Sequence, residues 1–133
     1  MPSRILCVED HPSVANSIKV LLEGQGYEVV IAGSSAQGFA LSQLQPFDLI
    51  LLDNGLPDGT GLDLCQRICT TGKQTPIVFY TGYDCDLKSQ AFAAGAQGYI
   101  QKGESINVLL SAISSHLSKA PTPEPGSQSA PNS

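Results

Sequence analysis

The sequence predicts an α/β domain: a doubly wound, five-stranded parallel sheet with helices on both faces. Three observations carry this expectation. Short apolar runs recur five times, and each is followed by a stretch whose apolar residues repeat at helical spacing. The third observation is length, because 133 residues supply one hydrophobic core and leave almost nothing for a second.

The first run, ILCV from Ile5, is too short for a helix, and like the three runs after it reads as a strand buried on both faces. EDHP follows, then a helix with Val14, Ile18, Leu21 and Leu22 on one stripe and Asn16, Lys19 and Glu23 opposite. VVI from Val29 is the second strand. It leads to a helix carrying Ala36, Phe39, Ala40 and Leu44 on its apolar stripe, with Ser34 and Ser35 as candidate N-caps. LILL from Leu49 is the third strand, and its helix shows Leu62, Cys65, Ile68 and Cys69 before ending near Gly72. IVFY from Ile77 is the fourth, with a weaker helix marked by Leu87, Ala91 and Ala94 and closed by Gly95. The short YI from Tyr99 fits an edge strand. The stripe Ile106, Leu109, Leu110, Ile113 and Leu117 then opens behind Ser105.

Beyond Leu117 the character changes. KAPTPEPGSQSAPNS holds four of the nine prolines and no large apolar residue, so residues 1–119 are expected to form the domain and 120–133 a disordered Pro/Ser-rich tail or linker.

Composition excludes several classes of function. Seven basic against twelve acidic residues give a formal charge of −5, and no basic cluster offers the counterion displacement that nucleic-acid binding needs. No apolar run approaches the roughly 20 residues that span a bilayer, and MPSRILCVED is no signal peptide, so a cytoplasmic location is expected. Cys7, Cys65, Cys69 and Cys85 form no Cys-x-x-Cys pair. Cys65 and Cys69 lie one helical turn apart, but a zinc site would need two more ligands, and His11 and His116 are distant in sequence; packing is the better reading. Cys85, just past a strand end, is expected to be the most accessible of the four.

The acids fall in a pattern. Ligands of open parallel sheets bind beyond the carboxyl ends of the strands, where strand order reverses, and order 2-1-3-4-5 puts that reversal between strands one and three. Strand one ends in Glu9 and Asp10, strand three in Asp53, strand four in Thr81, and strand five runs into Lys102. Three ionised carboxylates about 4 Å apart repel by about 4 kcal/mol per pair at an effective dielectric near 20. Either some of them stay protonated or a cation sits among them, and hard oxygen ligands at a solvent-facing rim suit Mg²⁺. Taken singly, an acid at a strand end is often a helix N-cap, and a lysine before a helix is usually solvated. The coincidence of five such residues on one rim carries the functional reading.

These residues resemble a known family. VEDHP with Glu9 and Asp10, LILLDNGLPDGTGLDL around Asp53, VFYTG with Thr81 and GYIQKG with Tyr99 and Lys102 are similar to the receiver domains of two-component response regulators. The resemblance runs from Arg4 to Leu117 and implies a CheY-like, flavodoxin-like sheet of order 2-1-3-4-5. EDHP and LPDGTGLDL resemble most the receivers that precede LuxR/NarL-type helix-turn-helix domains.

The resemblance implies Asp53 as the phosphoacceptor for a sensor histidine kinase or phosphotransfer protein. Mg²⁺ would be held by Asp10, Asp53 and the backbone carbonyl of Gly55, with Glu9 acting through a water. Lys102 would contact the phosphoryl group, and Thr81 with Tyr99 would form the switch pair, although Tyr99 alone reads equally well as a half-buried strand tyrosine. The phosphoryl group adds about −1.5 to −2 of charge, which would reshape the face of the fourth helix, fifth strand and fifth helix for an output partner not named by the sequence, with homodimerisation as a further expectation. Such a domain is no general enzyme; it catalyses only its own phosphotransfer and autodephosphorylation.

The pattern has departures. Gly103 stands where many receivers place a cis proline, which bears on how firmly Lys102 is held. Gly55 and Gly82 leave the site open. Two other classes fit less well. A constitutive interaction module of the same fold would be expected to have lost part of the acid set. A flavin carrier would meet repulsion from EDHP, and a haloacid-dehalogenase phosphatase would need an acid where Gly55 stands.

Overall fold

The computed structural model describes residues 2–82 and 85–118; the tail expected from residue 120 and the accessibility expected of Cys85 lie outside the described residues. The chain runs β1 (Arg4–Val8), α1 (Pro12–Glu23), β2 (Glu28–Ala32), α2 (Ser35–Leu44), β3 (Leu49–Leu52), β4 (Gly55–Leu56), β5 (Gly59–Thr60), α3 (Gly61–Thr70), β6 (Ile77–Thr81), α4 (Cys85–Ala93), β7 (Gly98–Gln101) and α5 (Ile106–Ser118). Five strands form one parallel sheet in the order β2-β1-β3-β6-β7, which is the expected 2-1-3-4-5 once the small β4–β5 hairpin is set aside.

Alternation along the central strands divides the core in two. Leu6, Val8, Ile50, Leu52 and Phe79 point to one face and pack with Leu64, Cys65 and Ile68 of α3 and Ala91 of α4. Ile5, Cys7, Leu49, Leu51 and Val78 point to the other and pack with Ile18 and Leu22 of α1 and Leu109 and Ile113 of α5. Most of these side chains are fully buried, each aliphatic contributing about 1.5–3 kcal/mol of burial free energy. β1 and β3 are buried on both faces as expected, whereas edge strand β2 leaves Val30 and Ile31 only half-buried.

Two helix faces differ from expectation. α2 buries Ser35, Gly38 and Ser42 and leaves Ala36, Ala40 and Leu44 exposed, so its true face is rotated from the apolar stripe. Proximity explains this: a Cβ on Gly38 would lie 3.0 Å from Val8 and 3.2 Å from Leu64, so small residues let α2 approach the sheet. Only Phe39, among the residues of the expected stripe, packs against the core. In α5, Leu109 and Ile113 are buried, but Ile106, in the first turn, is 49% exposed and lines an open groove beside Val14 and Leu21 of α1 and Tyr80 of β6. The caps at α2 and α3 are built from side chains: Ser34 Oγ accepts from Gln37 N at 3.1 Å, and Thr60 Oγ1 accepts from Asp63 N at 3.1 Å.

Candidate functional site at the carboxyl rim of the sheet

Each strand hands its functional residue to the rim by extending the backbone ladder. Glu9 N donates to Ala32 O at 2.9 Å, Asp53 N to Val8 O at 3.1 Å and Lys102 N to Thr81 O at 2.7 Å. These bonds hold the three residues to neighbouring strands just past the ends of β1, β3 and β7, and Thr81 closes β6 beside them.

The side chains then converge. Lys102 Nζ donates to Glu9 Oε1 at 2.9 Å and lies 3.4 Å from Asp53 Oδ2. Asp53 Oδ1 accepts from Asn54 N at 2.8 Å. Glu9 Oε2 accepts from the backbone N of His11 at 3.3 Å and lies 3.1 Å from His11 Nδ1. One ligand atom from each of Glu9, Asp10, His11 and Asp53 lies within 4.8 Å of the others. Glu9 and Asp53 are buried, as is Thr81, while Asp10 is partly exposed.

Charge at this rim is unbalanced. Three carboxylates face one ammonium, and repulsion between carboxylates costs about 4 kcal/mol per pair at about 4 Å. The Lys102 ammonium feels burial, which lowers its pKa, yet the Glu9 hydrogen bond and the charges of Asp53 and Glu9 outweigh it and raise it. His11 is raised as well, first by its hydrogen bond to Glu9 and then by Asp10. Asp10 Oδ1 is shut off from solvent and has no hydrogen bond; it lies 3.2 Å from His11 Nδ1. A buried carboxylate oxygen without a hydrogen-bond donor, set among further hard oxygens, fits a hydrated divalent cation such as Mg²⁺.

The other expected residues are placed as follows. Gly55 is exposed and opens β4, two residues past Asp53. Tyr99 is half-buried in β7, its ring stacked on Phe79 at 6.4 Å and 18°, and its hydroxyl donates to Gly82 O at 2.8 Å, one residue past Thr81. Gly103 has φ 100°, and no cis peptide occurs among the described residues; Lys102 is held by its backbone bond to Thr81 and by the two carboxylates instead. Cys7 lies beneath the rim, where burial and then Glu9 push its thiol up to about 12, so it packs as a neutral group. Cys65 is pushed up to about 12 by burial and by Cys69, in keeping with a packing role.

Sequence reasoning missed His11, the β4–β5 hairpin and the bracing of the Asp53 segment. His11 was weighed only as a zinc ligand with the cysteines, although its place directly after two acids was the available signal. The bracing comes from three residues of NGLPDGTG. Asn54 Oδ1 accepts from Leu62 N at 3.1 Å, and Asp58 accepts from Ser35 N at 2.7 Å and Ala36 N at 2.9 Å. Gly61 permits a close approach: a Cβ there would lie 2.5 Å from Asp53 O and 2.9 Å from Asn54 Cα.

Comparisons with known proteins point to one family. The response regulator receiver domain family matches residues 5–114. The transcriptional regulatory protein DltR of Streptococcus agalactiae is 37% identical over 114 residues, which cover 83% of this chain and 50% of that protein. The chain spans about half the length, or less, of the curated relatives it matches first. Among solved structures, the CheY-like receiver domain protein of Methanospirillum hungatei superposes with TM-score 0.86 at 32% identity, over 90% of this chain and 97% of that one. The response regulator TrrA of Thermotoga maritima, solved in complex with Mg²⁺-BeF, gives TM-score 0.80 at 25% identity over 86% and 98%. No helix among the described residues is long and apolar enough to cross a membrane. With sheet order and sequence likeness in agreement, the chain belongs to the response regulator receiver domain family, the receivers of two-component regulators.

Proposed function

We propose that Asp53 is the phosphoacceptor of this receiver and that Glu9, Asp10, Asp53 and the Gly55 carbonyl hold Mg²⁺ beside it, Glu9 through a water. The observation that carries this reading is the buried, unsatisfied Asp10 Oδ1 within the four-residue cluster of potential ligands. The Mg²⁺-BeF complex of TrrA, a structural relative, adds support.

Bound Mg²⁺ would neutralise charge as the phosphoryl group moves. Every other role falls to the chain. Asp53 Oδ2, the oxygen facing Lys102, attacks phosphorus, the bond to the donor imidazole nitrogen breaks, and an acyl phosphate forms. Asp53 Oδ1 is kept in place by Asn54 N. Lys102 exchanges its contact with Asp53 for the phosphoryl oxygens while Glu9 keeps it at the rim. Thr81 turns its hydroxyl to the same oxygens, and Tyr99 follows by leaving Gly82 O, which alters the face of α4, β7 and α5. The exposed Gly55 and Gly82 leave room for water, which supports autodephosphorylation without unusual persistence of the product.

The phosphoryl donor is proposed to be a sensor histidine kinase or phosphotransfer protein, in the cytoplasm. The output partner is proposed to be a separate DNA-binding domain, as the name of DltR suggests, with homodimerisation on phosphorylation. Kinship to LuxR/NarL-type receivers rests on EDHP and LPDGTGLDL alone. Residues 1–119 are read as the receiver and 120–133 as tail or linker.

Acetyl phosphate with Mg²⁺ should add one phosphoryl mass, and Asp53→Asn should abolish the gain while leaving the far-ultraviolet spectrum unchanged. A mass gain that survives Asp53→Asn would overturn the assignment.

A further inference from the structure

We infer that His11 is a direct nitrogen ligand of the rim cation, which gives this receiver a preference for first-row transition metals over Mg²⁺ beyond that of an all-oxygen site. The inference rests on the proposed cation site and adds to it a donor and a metal class.

Geometry points to this. His11 Nδ1 lies 3.1 Å from Glu9 Oε2 and 3.2 Å from Asp10 Oδ1. Adjacent ligands of an octahedral ion with bonds of about 2.1–2.2 Å are separated by roughly 3.0–3.1 Å, the bond length times the square root of two. The Asp10–His11 spacing comes within about 0.1–0.2 Å of that edge, while the Glu9–His11 contact is a hydrogen bond that turns the ring toward the acids. The 3.2 Å contact is not a hydrogen bond, because Asp10 Oδ1 remains unsatisfied although a ring nitrogen is near. Two donors at ligand–ligand spacing with nothing joining them leave a place for an ion.

The local fold holds the imidazole there. His11 is the N-cap residue of α1, with extended backbone at φ −88° and ψ 111°, and it makes no side-chain cap. Its backbone N donates to Glu9 Oε2, the oxygen that its ring also faces, so main chain and ring are fixed to one carboxylate. The following Pro12 sets the first helical turn. The side chain is 67% exposed, so the opposite ring edge reaches water, and ions have access. Imidazole is a stronger donor to borderline metals than to Mg²⁺, and affinities rise along the series from Mn²⁺ to Cu²⁺.

Mn²⁺ is the probe, read by electron spin-echo modulation and by titration. The full chain with Mn²⁺ should show nitrogen-14 modulation of a directly bound imidazole, and His11→Asn should remove it while Mn²⁺ stays bound. Asparagine is itself a good N-cap, so α1 should be retained. In titrations, His11→Asn should weaken Mn²⁺ and Ni²⁺ binding about tenfold or more, as expected when a group that orients or donates to a metal is lost, with Mg²⁺ changed by less than about twofold. Mn²⁺ bound without imidazole modulation, or equal losses for Mg²⁺ and Ni²⁺, would overturn the inference and leave the cation site intact. If Asp10→Ala binds Mn²⁺ as tightly as the parent, the site itself fails, which separates the two readings.

Discussion

The segment that carries Asp53 out of β3 and the segment that carries Lys102 out of β7 reach the same rim by different means. The first is braced by its own side chains: Asn54 Oδ1 holds the start of α3, Asp58 holds the start of α2, and Gly61 packs against the Asp53 carbonyl. The second has one backbone bond to Thr81, one turn closed by Glu104 N to Gln101 O at 3.1 Å, and an ammonium held by the two carboxylates it faces. Asp53 is therefore placed by the scaffold, whereas Lys102 is placed by charge. This division suits a switch, because a change in charge at the rim can release the lysine without disturbing the acid.

The largest way to break the comparison is Gly61→Ala. The added methyl group would meet backbone atoms of Asp53 and Asn54, which cannot rotate away as a flexible side chain would. Overpacking of this kind costs about 1–3 kcal/mol, and here the strain falls on the Asp53 segment itself. Urea unfolding should show that loss, and phosphoryl uptake from acetyl phosphate should fall steeply with it. Wild-type uptake in Gly61→Ala would mean that the approach is not what fixes Asp53.

Lys102→Ala tests the other segment. Removing the ammonium leaves buried Glu9 and Asp53 facing each other, a loss of roughly 1–2 kcal/mol once the partial exposure of the lysine is discounted. The same change removes a positive charge that competes with cations. Mg²⁺ affinity should therefore rise severalfold even as phosphoryl uptake falls. Opposite movement of those two quantities is the signature of placement by charge, and a fall in both would show that Lys102 shapes the site instead. Divalent cation should also restore most of the lost stability, since it stabilises the folded state by mass action.

How much of this was legible in the sequence follows the same division. Strands buried on both faces announce themselves through runs such as LILL, and the rim acids follow directly from where those runs stop. Backbone proximity does not announce itself. The Ala36, Ala40 and Leu44 stripe misled because Gly38 and Ser42 meet the sheet instead, and small residues carry no hydropathy signal. Asp58 and Gly61 carry no hydropathy signal for the same reason: what they do is seen only in the atoms of other segments that they meet. His11 was legible as a residue type, but its ring is turned to Glu9 by the extended cap conformation that only the folded chain shows.

The smallest effect sharpens the comparison most, because it isolates one brace. The Asp58 carboxylate accepts from Ala36 N and Ser35 N, and these two bonds hold its pKa below the ordinary 3.8, with a smaller contribution from Arg67. A carboxyl whose pKa is lower in the folded than in the unfolded chain stabilises the fold above the unfolded value, and that contribution is lost as pH falls through the folded one. Asp58→Ala should then lower Tm at pH 7, with the gap from the parent narrowing once the pH drops below 3.8. Ser34→Ala supplies the control, since its hydroxyl caps the same helix through Gln37 N and does not titrate in this range. Its Tm deficit should stay constant over the same pH range. Parallel behaviour of the two variants would show that Asp58 braces α2 by shape alone; divergence below pH 3.8 would show that the Asp53 segment, too, borrows charge, at its far end and away from the rim.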